Sequence, residues 1–307
     1  TPFSNTQNTE GVIYSFSESG NTNSSPYISG STNDFVGFTV EANTIFPKTP
    51  PTYQDTINLT SPAIGTASVF GVREANFTDQ TTIIGADAAD ISVRVIKDDN
   101  TAKFQLSSSL GVLLESDRFY DVYDNSRWSL SERVKYDLEP FTEISTADGF
   151  KIEFNGYNYE QDILQNSFSL SGNISSVDGR AFISSDKRIY AGAEKENITG
   201  SLTHRSNMKL LSVLAWADYL EDNELKVHAR DVTSFGREEP YDNTFTFANG
   251  TFDNIFIPKF DTLAMNLAFN QVTTSDSSGE FTVPDLSSGS LSLVNKYGDY
   301  SKIVGIQ

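Results

Sequence analysis

An all-β fold of many short strands, with one short helix, is what this sequence predicts, and three observations predict it. Apolar and polar residues alternate with period two through most of the chain, as strands with one buried face require. Turn-forming residues recur every ten residues or so, the spacing of a sandwich or barrel. Hydrophobic residues make up only 37% of the 307 positions, yet the chain is too rich in Phe (22) and Tyr (13) to be disordered.

The elements follow in order. In DFVGFTVEANTIF, residues Val36, Phe38, Val40, Ala42 and Phe46 share one parity. ISVRVIKDDNTAKFQLSS reads as a hairpin: Ile91, Val93 and Val95 point one way, Asp98-Asp99-Asn100 turns, and Phe104 and Leu106 lead the return strand. WSLSERVKYD contributes Trp128, Leu130 and Val134, with Glu132 breaking the inward parity. FKIEFNGYNY contributes Phe150, Ile152 and Phe154 before an expected turn at Asn155-Gly156. NSFSLSG, KRIYAGA and MKLLSVLAW supply further short strands. WADYLEDNELKVHARD breaks the pattern: Asp222 suits an N-cap and Glu224 the first turn. Leu225 and Ala229 share a helical face, Arg230 suits the last turn, and Gly236 closes the region. From about residue 238 the composition loosens, and Ser and Gly crowd around Pro284 as in a linker. The expected division is a connecting segment at 1–29, a sandwich at 30–237, and a connector or the start of a following module at 238–307. No repeat of fixed period is present.

Charge and cysteine content narrow the function. A formal charge of −19 repels phosphate backbones and anionic lipid, so neither nucleic acid nor a membrane surface is an expected partner. No stretch approaches the roughly 18 apolar residues of a membrane span. The absence of cysteine, with His204 and His228 the only histidines, excludes disulfides, thiol nucleophiles and ordinary zinc sites. The opening TPFSNTQNTEG, without Met, reads as a piece of a longer or processed chain. Sequons at Asn23, Asn58, Asn76, Asn173, Asn197 and Asn249 are what chance gives in so Asn-, Ser- and Thr-rich a sequence.

The order of these pieces resembles the concanavalin-A-like, laminin-G-like jelly roll. An FTVEA-type strand (Phe38 to Ala42) precedes an ISVRV…FQL hairpin (Ile91 to Leu106) and a W-x-L-x-x-R-V strand (Trp128 to Val134). An F-x-G turn (Phe154 to Gly156) and a K-R-I-Y-x-G-A strand (Lys187 to Ala193) come next. A V-x-x-W strand (Val213 to Trp216) then runs into the helix near Asp222 to Arg230. The resemblance covers roughly residues 30 to 237 and implies an all-β, two-sheet antiparallel jelly roll. SSDKRIYAGAEKENITGSL, SVLAWADYLEDNELKVHARD and SSGEFTVPDLSSGS further resemble segments of very large structural proteins of tailed bacteriophages, in which such modules lie within long virion chains.

Residues for four kinds of site are present in the sequence. Some concanavalin-like sandwiches are glycoside hydrolases whose E-x-D-x-x-E strand sets two carboxylates on one face. Here Glu160-Gln161-Asp162-Ile163-Leu164-Gln165 ends on an amide, which cannot exchange the required proton, so a solvated strand end or loop is expected. For nucleophilic catalysis His204 and His228 are the only imidazole bases. Neither follows a G-x-S-x-G elbow, and His228 reads as a capped or surface imidazole on the helix. For calcium, Asp87 and Asp90 beside Gly85, and the Asp98-Asp99-Asn100 turn, carry suitable oxygens. Such residues more often cap their own turns, so no metal ligand is assigned and no cofactor is expected. For glycans, Tyr120, Tyr123, Tyr157 and Tyr159 lie in polar, loop-like surroundings where rings could stack on sugar faces, though paired tyrosines in a sandwich more often pack at the core edge with the hydroxyl in water. Phosphate-binding motifs are absent from the sequence.

The expectation is thus a non-catalytic virion structural or surface module of a bacteriophage, capsid- or tail-associated, touching other virion subunits and host-surface glycans. A lectin-like module of a secreted (extracellular) bacterial protein and a sandwich-fold glycoside hydrolase are the alternatives.

Overall fold

The computed structural model describes residues 4–8, 11–15, 37–48, 65–74, 91–98, 100–136, 149–184, 187–195, 202–231, 262–270, 274–275, 280–284 and 300–304. Val36, Asp87, Asp90, Asp99, Gly236 and all the sequons except Asn173 lie outside them. The elements are β1 (Ser4–Asn8), β2 (Gly11–Ser15), β3 (Phe38–Phe46), β4 (Thr66–Glu74), β5 (Ile91–Asp98), β6 (Thr101–Ser108), β7 (Leu113–Glu115), β8 (Phe119–Tyr120), β9 (Ser126–Tyr136), β10 (Phe150–Glu160) and β11 (Ile163–Ile174). There follow α1 (Ser176–Ser184), β12 (Lys187–Ala191), β13 (Glu194–Lys195), β14 (Leu202–Thr203), β15 (Lys209–Trp216), α2 (Asp222–Arg230), β16 (Leu263–Ala268), β17 (Thr274–Ser275), β18 (Glu280–Pro284) and β19 (Tyr300–Val304).

Two antiparallel sheets make a sandwich. One runs β1-β2-β12-β4-β5-β6-β7 with β8 also paired to β6; the other runs β11-β10-β9-β3-β15-β16. The chain passes back and forth between the layers, the crossed connectivity of a jelly roll, as expected. Period two does the work: Phe38, Val40 and Ala42 of β3 pair with Val134, Glu132 and Leu130 of β9, all facing the opposite sheet. Val93 and Val95 of β5 pair with Leu106 and Phe104 of β6 and meet them from the other layer. An aromatic group ties the layers together, with Trp128 4.7 Å from Phe104 and 5.0 Å from Phe119 between ring centres. Glu132 points inward as its parity requires and is fully buried.

Four expectations need correction. Asn155-Gly156 is no turn: β10 runs straight through it, because a glycine there leaves room for the Phe168 ring, which would lie 2.2 Å from an added Cβ. The chain reverses instead at Gln161-Asp162. The N-cap of α2 is Glu221, not Asp222: its side chain takes the Glu224 backbone N–H while the Glu224 side chain takes its own, a reciprocal box. A second helix, α1, was not anticipated. Its Ser175 hydroxyl accepts the Asp178 N–H, and Gly179 lies against the Phe150 ring. Finally, β2 of the expected connecting segment pairs with β12, and β16 of the expected connector pairs with β15, so parts of both flanks belong to the sheets.

Gly37, just before β3, fixes the approach to α2. A Cβ there would lie 2.3 Å from the Tyr219 backbone nitrogen and 2.4 Å from its Cβ, contacts only backbone movement could relieve. Gly37→Ala is expected to cost about 1–3 kcal/mol, the range for overpacking, measurable as a lower urea midpoint at unchanged slope.

Candidate functional site

At one rim of the sandwich the segment from Arg118 to Arg127 faces the β10–β11 hairpin across an open groove of about 640 Å³. Two of the four candidate sugar-contacting tyrosines line it. Tyr120 is 74% exposed, and Tyr159 stands on the opposite side, half-buried. The other two do not. Tyr157 is buried under α2 beside Trp216 and Leu225, because its parity on β10 turns it onto the helix-covered face. Burial pushes its hydroxyl up to about 12. Tyr123 packs edge-on against Phe46 at 5.4 Å under the Lys97 ammonium, and burial likewise pushes its hydroxyl up to about 12.

The groove is shaped by backbone that most residues avoid. Asp121, Asn125, Gln161 and Asp162 have φ of 58°, 61°, 48° and 65°, and three of them line the groove while Asp162 adjoins it. Asp and Asn tolerate this left-handed region through local hydrogen bonding. Gln161-Asp162 joins Glu160 to Ile163 as a two-residue loop with positive φ at both positions, the turn that matches strand twist. Side-chain bonds then lock the hairpin to β9. Asn158 Nδ2 donates to Ser126 Oγ (3.0 Å) and to the Arg127 carbonyl (2.7 Å), while Asn166 Nδ2 donates to Asn158 Oδ1 (3.3 Å).

The cations are already occupied. Arg127 donates to the Ala229 and Arg230 carbonyls at the C-terminal end of α2, where a positive charge meets the negative end of the helix. Burial lowers its affinity for protons, opposed by Asp231 and Asp162. Arg118 pairs with Asp98 at 3.2 Å, and Lys48 with Asp124 at 2.8 Å. What faces the groove is therefore Asp121, Glu160, the amides of Gln161 and Gln165, and two phenol rings, a set of acceptors and donors suited to hydroxyl groups. Among the described residues no group of three or more Asp, Glu or His could hold a metal ion. Nor is any described helix long and apolar enough to cross a membrane.

The near-match to an acid pair falls on the same hairpin. Glu160 ends β10, Asp162 sits in the turn and Gln165 lies on β11, so no single strand face presents two carboxylates. Two carboxylates that sequence reasoning passed over lie on the outer face of the six-stranded sheet, beneath α2. Glu41, fully buried, accepts the Trp216 indole N–H at 2.7 Å, and His228 Nδ1 lies 2.9 and 3.0 Å from its two oxygens. The rings of His228 and Trp216 stack at 5.4 Å. His228 is thus buried, not a surface imidazole; its spacing of three from Leu225 on the buried helical face was the available signal. Glu153 is bound by Arg133 (2.6 Å), Lys151 (2.6 Å) and the Tyr219 hydroxyl (2.6 Å). Burial works to raise its proton affinity, but those hydrogen bonds and the Arg133 charge outweigh it and hold the carboxyl below its usual range. Arg133 also donates to the Leu220 carbonyl (2.7 Å) and Asp222 (2.6 Å), anchoring the start of α2. His204, exposed with φ of 47°, lies 3.4 Å from Glu194, which is bound by Arg94 and Ser92.

Fold and rim together define a two-layer antiparallel β-sandwich with a polar end groove and a helix clamped onto one sheet. No protein-family model matches the chain, and no curated protein does. Among solved structures, a native heptameric SAP-like pentraxin from Limulus polyphemus is similar at 12% identity and a TM-score of 0.34, over 64% of this chain and 70% of that one.

Proposed function

We propose that this chain is a non-catalytic module of a bacteriophage virion protein, capsid- or tail-associated, whose rim groove contacts host-surface glycans. The observation that carries the binding role is the groove itself: Tyr120 on one side and Tyr159 on the facing β10–β11 hairpin, among amides and carboxylates, with that hairpin tied to β9 by the Asn158 bonds. The non-catalytic role is supported by the carboxylates. Glu41 and Glu153 are buried and saturated by Trp216, His228, Arg133, Lys151 and Tyr219, and Glu160 stands beside no second acid on its strand face. The virion setting rests on the three segments that resemble long phage structural chains, and its partners there are other virion subunits.

The test is a glycan array followed by titration of the best ligand. Tyr120→Ala and Tyr159→Ala are each expected to weaken binding by about 2- to 13-fold, the scale of one lost ring stacking. Tyr123→Phe, at a residue that does not line the groove, should bind as well as the wild type. Absence of any glycan signal, or turnover of a polysaccharide abolished by Glu160→Gln, would sink this proposal.

A further inference from the structure

Strand β11 closes one side of the six-stranded sheet, and among the described residues no strand pairs with its free side. Its twelve residues, ILQNSFSLSGNI, include no charged residue and no proline in a chain whose formal charge is −19. Edge strands of soluble proteins are ordinarily protected by Lys, Pro, bulges or brevity, since unpaired N–H and C=O groups recruit further strands. Beyond the irregularity near Tyr159, β11 pairs regularly from Asn166 to Ile174. Ser167, Ser169 and Ser171 are exposed on the outer face, while Phe168 and Leu170 reach the core only in part.

We infer that β11 is an assembly edge, and that its occupant is β11 of a second copy of this chain, paired antiparallel about a two-fold axis. Charge selects the occupant. Two copies carrying −19 each repel over most of their surfaces, and this edge is a place where they can meet with no like charges opposed. The pattern is also self-complementary. In an antiparallel pair related by a two-fold axis, paired residues share a face. A register centred on Ser169 therefore sets Ser167 against Ser171 on the outer face, and Phe168 against Leu170 on the inner face. Polar meets polar and apolar meets apolar, and the two sheets become one. Cross-strand Ser pairs and aromatic–aliphatic pairs are the contacts that stabilise such a junction. The pairing names a partner, a second copy, for the structural role proposed above.

The experiment is sedimentation velocity of the full 307-residue chain across a concentration series, with Ser167→Lys/Ser171→Lys as the edge variant. In the register above it places lysine opposite lysine twice. Asn223→Lys/Asn270→Lys adds the same two charges at exposed positions elsewhere. Both variants reduce the net negative charge equally, so bulk electrostatics alone would tighten association in both. The expected result is a reversible wild-type dimer whose dissociation constant rises at least about tenfold only in the edge variant. Circular dichroism of the edge variant should match the wild type. Amide exchange on unaltered protein supplies the reading independent of any variant, with residues 166–174 protected at high concentration and not at low. A wild-type chain monomeric throughout, a dimer indifferent to the edge lysines, or protection elsewhere overturns the inference. Glycan binding by the groove is read separately, so either proposal can fail alone.

Discussion

Arg133→Met is expected to destabilise the fold by about 3–5 kcal/mol, because it takes one of its two cations from the buried Glu153 carboxylate, which keeps only Lys151 and the Tyr219 hydroxyl. The same change removes the donor to the Leu220 carbonyl, the Asp222 contact and the guanidinium stacked 4.6 Å over the Tyr219 ring. Arg133→Met/Glu153→Gln should recover part of that loss, since the pair then has no uncompensated charge. A urea double-mutant cycle measures the coupling. The network also sets an acid dependence. The Glu153 carboxyl is held below its ordinary value of 4.5 in the folded chain, so its contribution is fully present above that value. It drains away as pH falls below 4.5 and through the folded value. Glu194, held down by hydrogen bonds from Arg94 and Ser92 and by the Arg94 and His204 charges against the opposing effect of burial, adds in the same direction. Thermal midpoints between pH 7 and pH 3 should therefore fall, and fall less steeply in Arg133→Met.

Glu41→Leu is the second large effect, again about 3–5 kcal/mol. A carboxylate only accepts, so Glu41 is the shared acceptor for the Trp216 indole N–H and for a proton on His228 Nδ1. Replacing it with an apolar side chain leaves a buried indole N–H and a buried imidazole without their acceptor, each costing the desolvation of that group. Because His228 sits on α2, the loss should appear first as faster amide exchange across Asp222–Arg230, ahead of global unfolding. Equal exchange rates in that helix before and after the substitution would show that Glu41 does not hold it.

Most of the sandwich was legible because a strand with one buried face writes its period into the sequence. Val40, Ala42, Val93, Phe104, Leu130 and Phe154 all face the core their parity assigned. The hairpin at Asp98 and the strand ending at Trp216 followed from the same rule and from turn chemistry. Asn155-Gly156 misled because the pair that most often makes a turn here makes room for Phe168, and only the neighbouring strand reveals that need. Helix α1, as short as α2, escaped because SVDGRAFIS carries a glycine inside it and no basic residue in its last turn, whereas α2 shows Asp222 and Glu224 at its start and His228 and Arg230 at its end.

The site was half legible. Tyr120, Tyr123, Tyr157 and Tyr159 all sit among polar, loop-like neighbours in the sequence, and of the four Tyr120 and Tyr159 line the groove. Tyr157, two residues from Tyr159 and on the same face, is buried because α2 covers that part of the sheet and leaves the strand end open. The buried acids lay beyond sequence reasoning for a related reason. Glu41, Glu153 and Arg133 alternate with core residues, which by pattern alone marks them as solvent-facing.

By itself the sequence determined the alternation, and with it the strands and which residues enter the space between the sheets, since that depends on neighbours in the chain. Only the tertiary structure decided what covers the other face. A helix about 60 residues beyond β10 in the sequence turns an outward polar row into a buried ionic network and, among the described residues, leaves one rim uncovered. Burial is set by whatever packs across from a residue, and no local pattern contains that information.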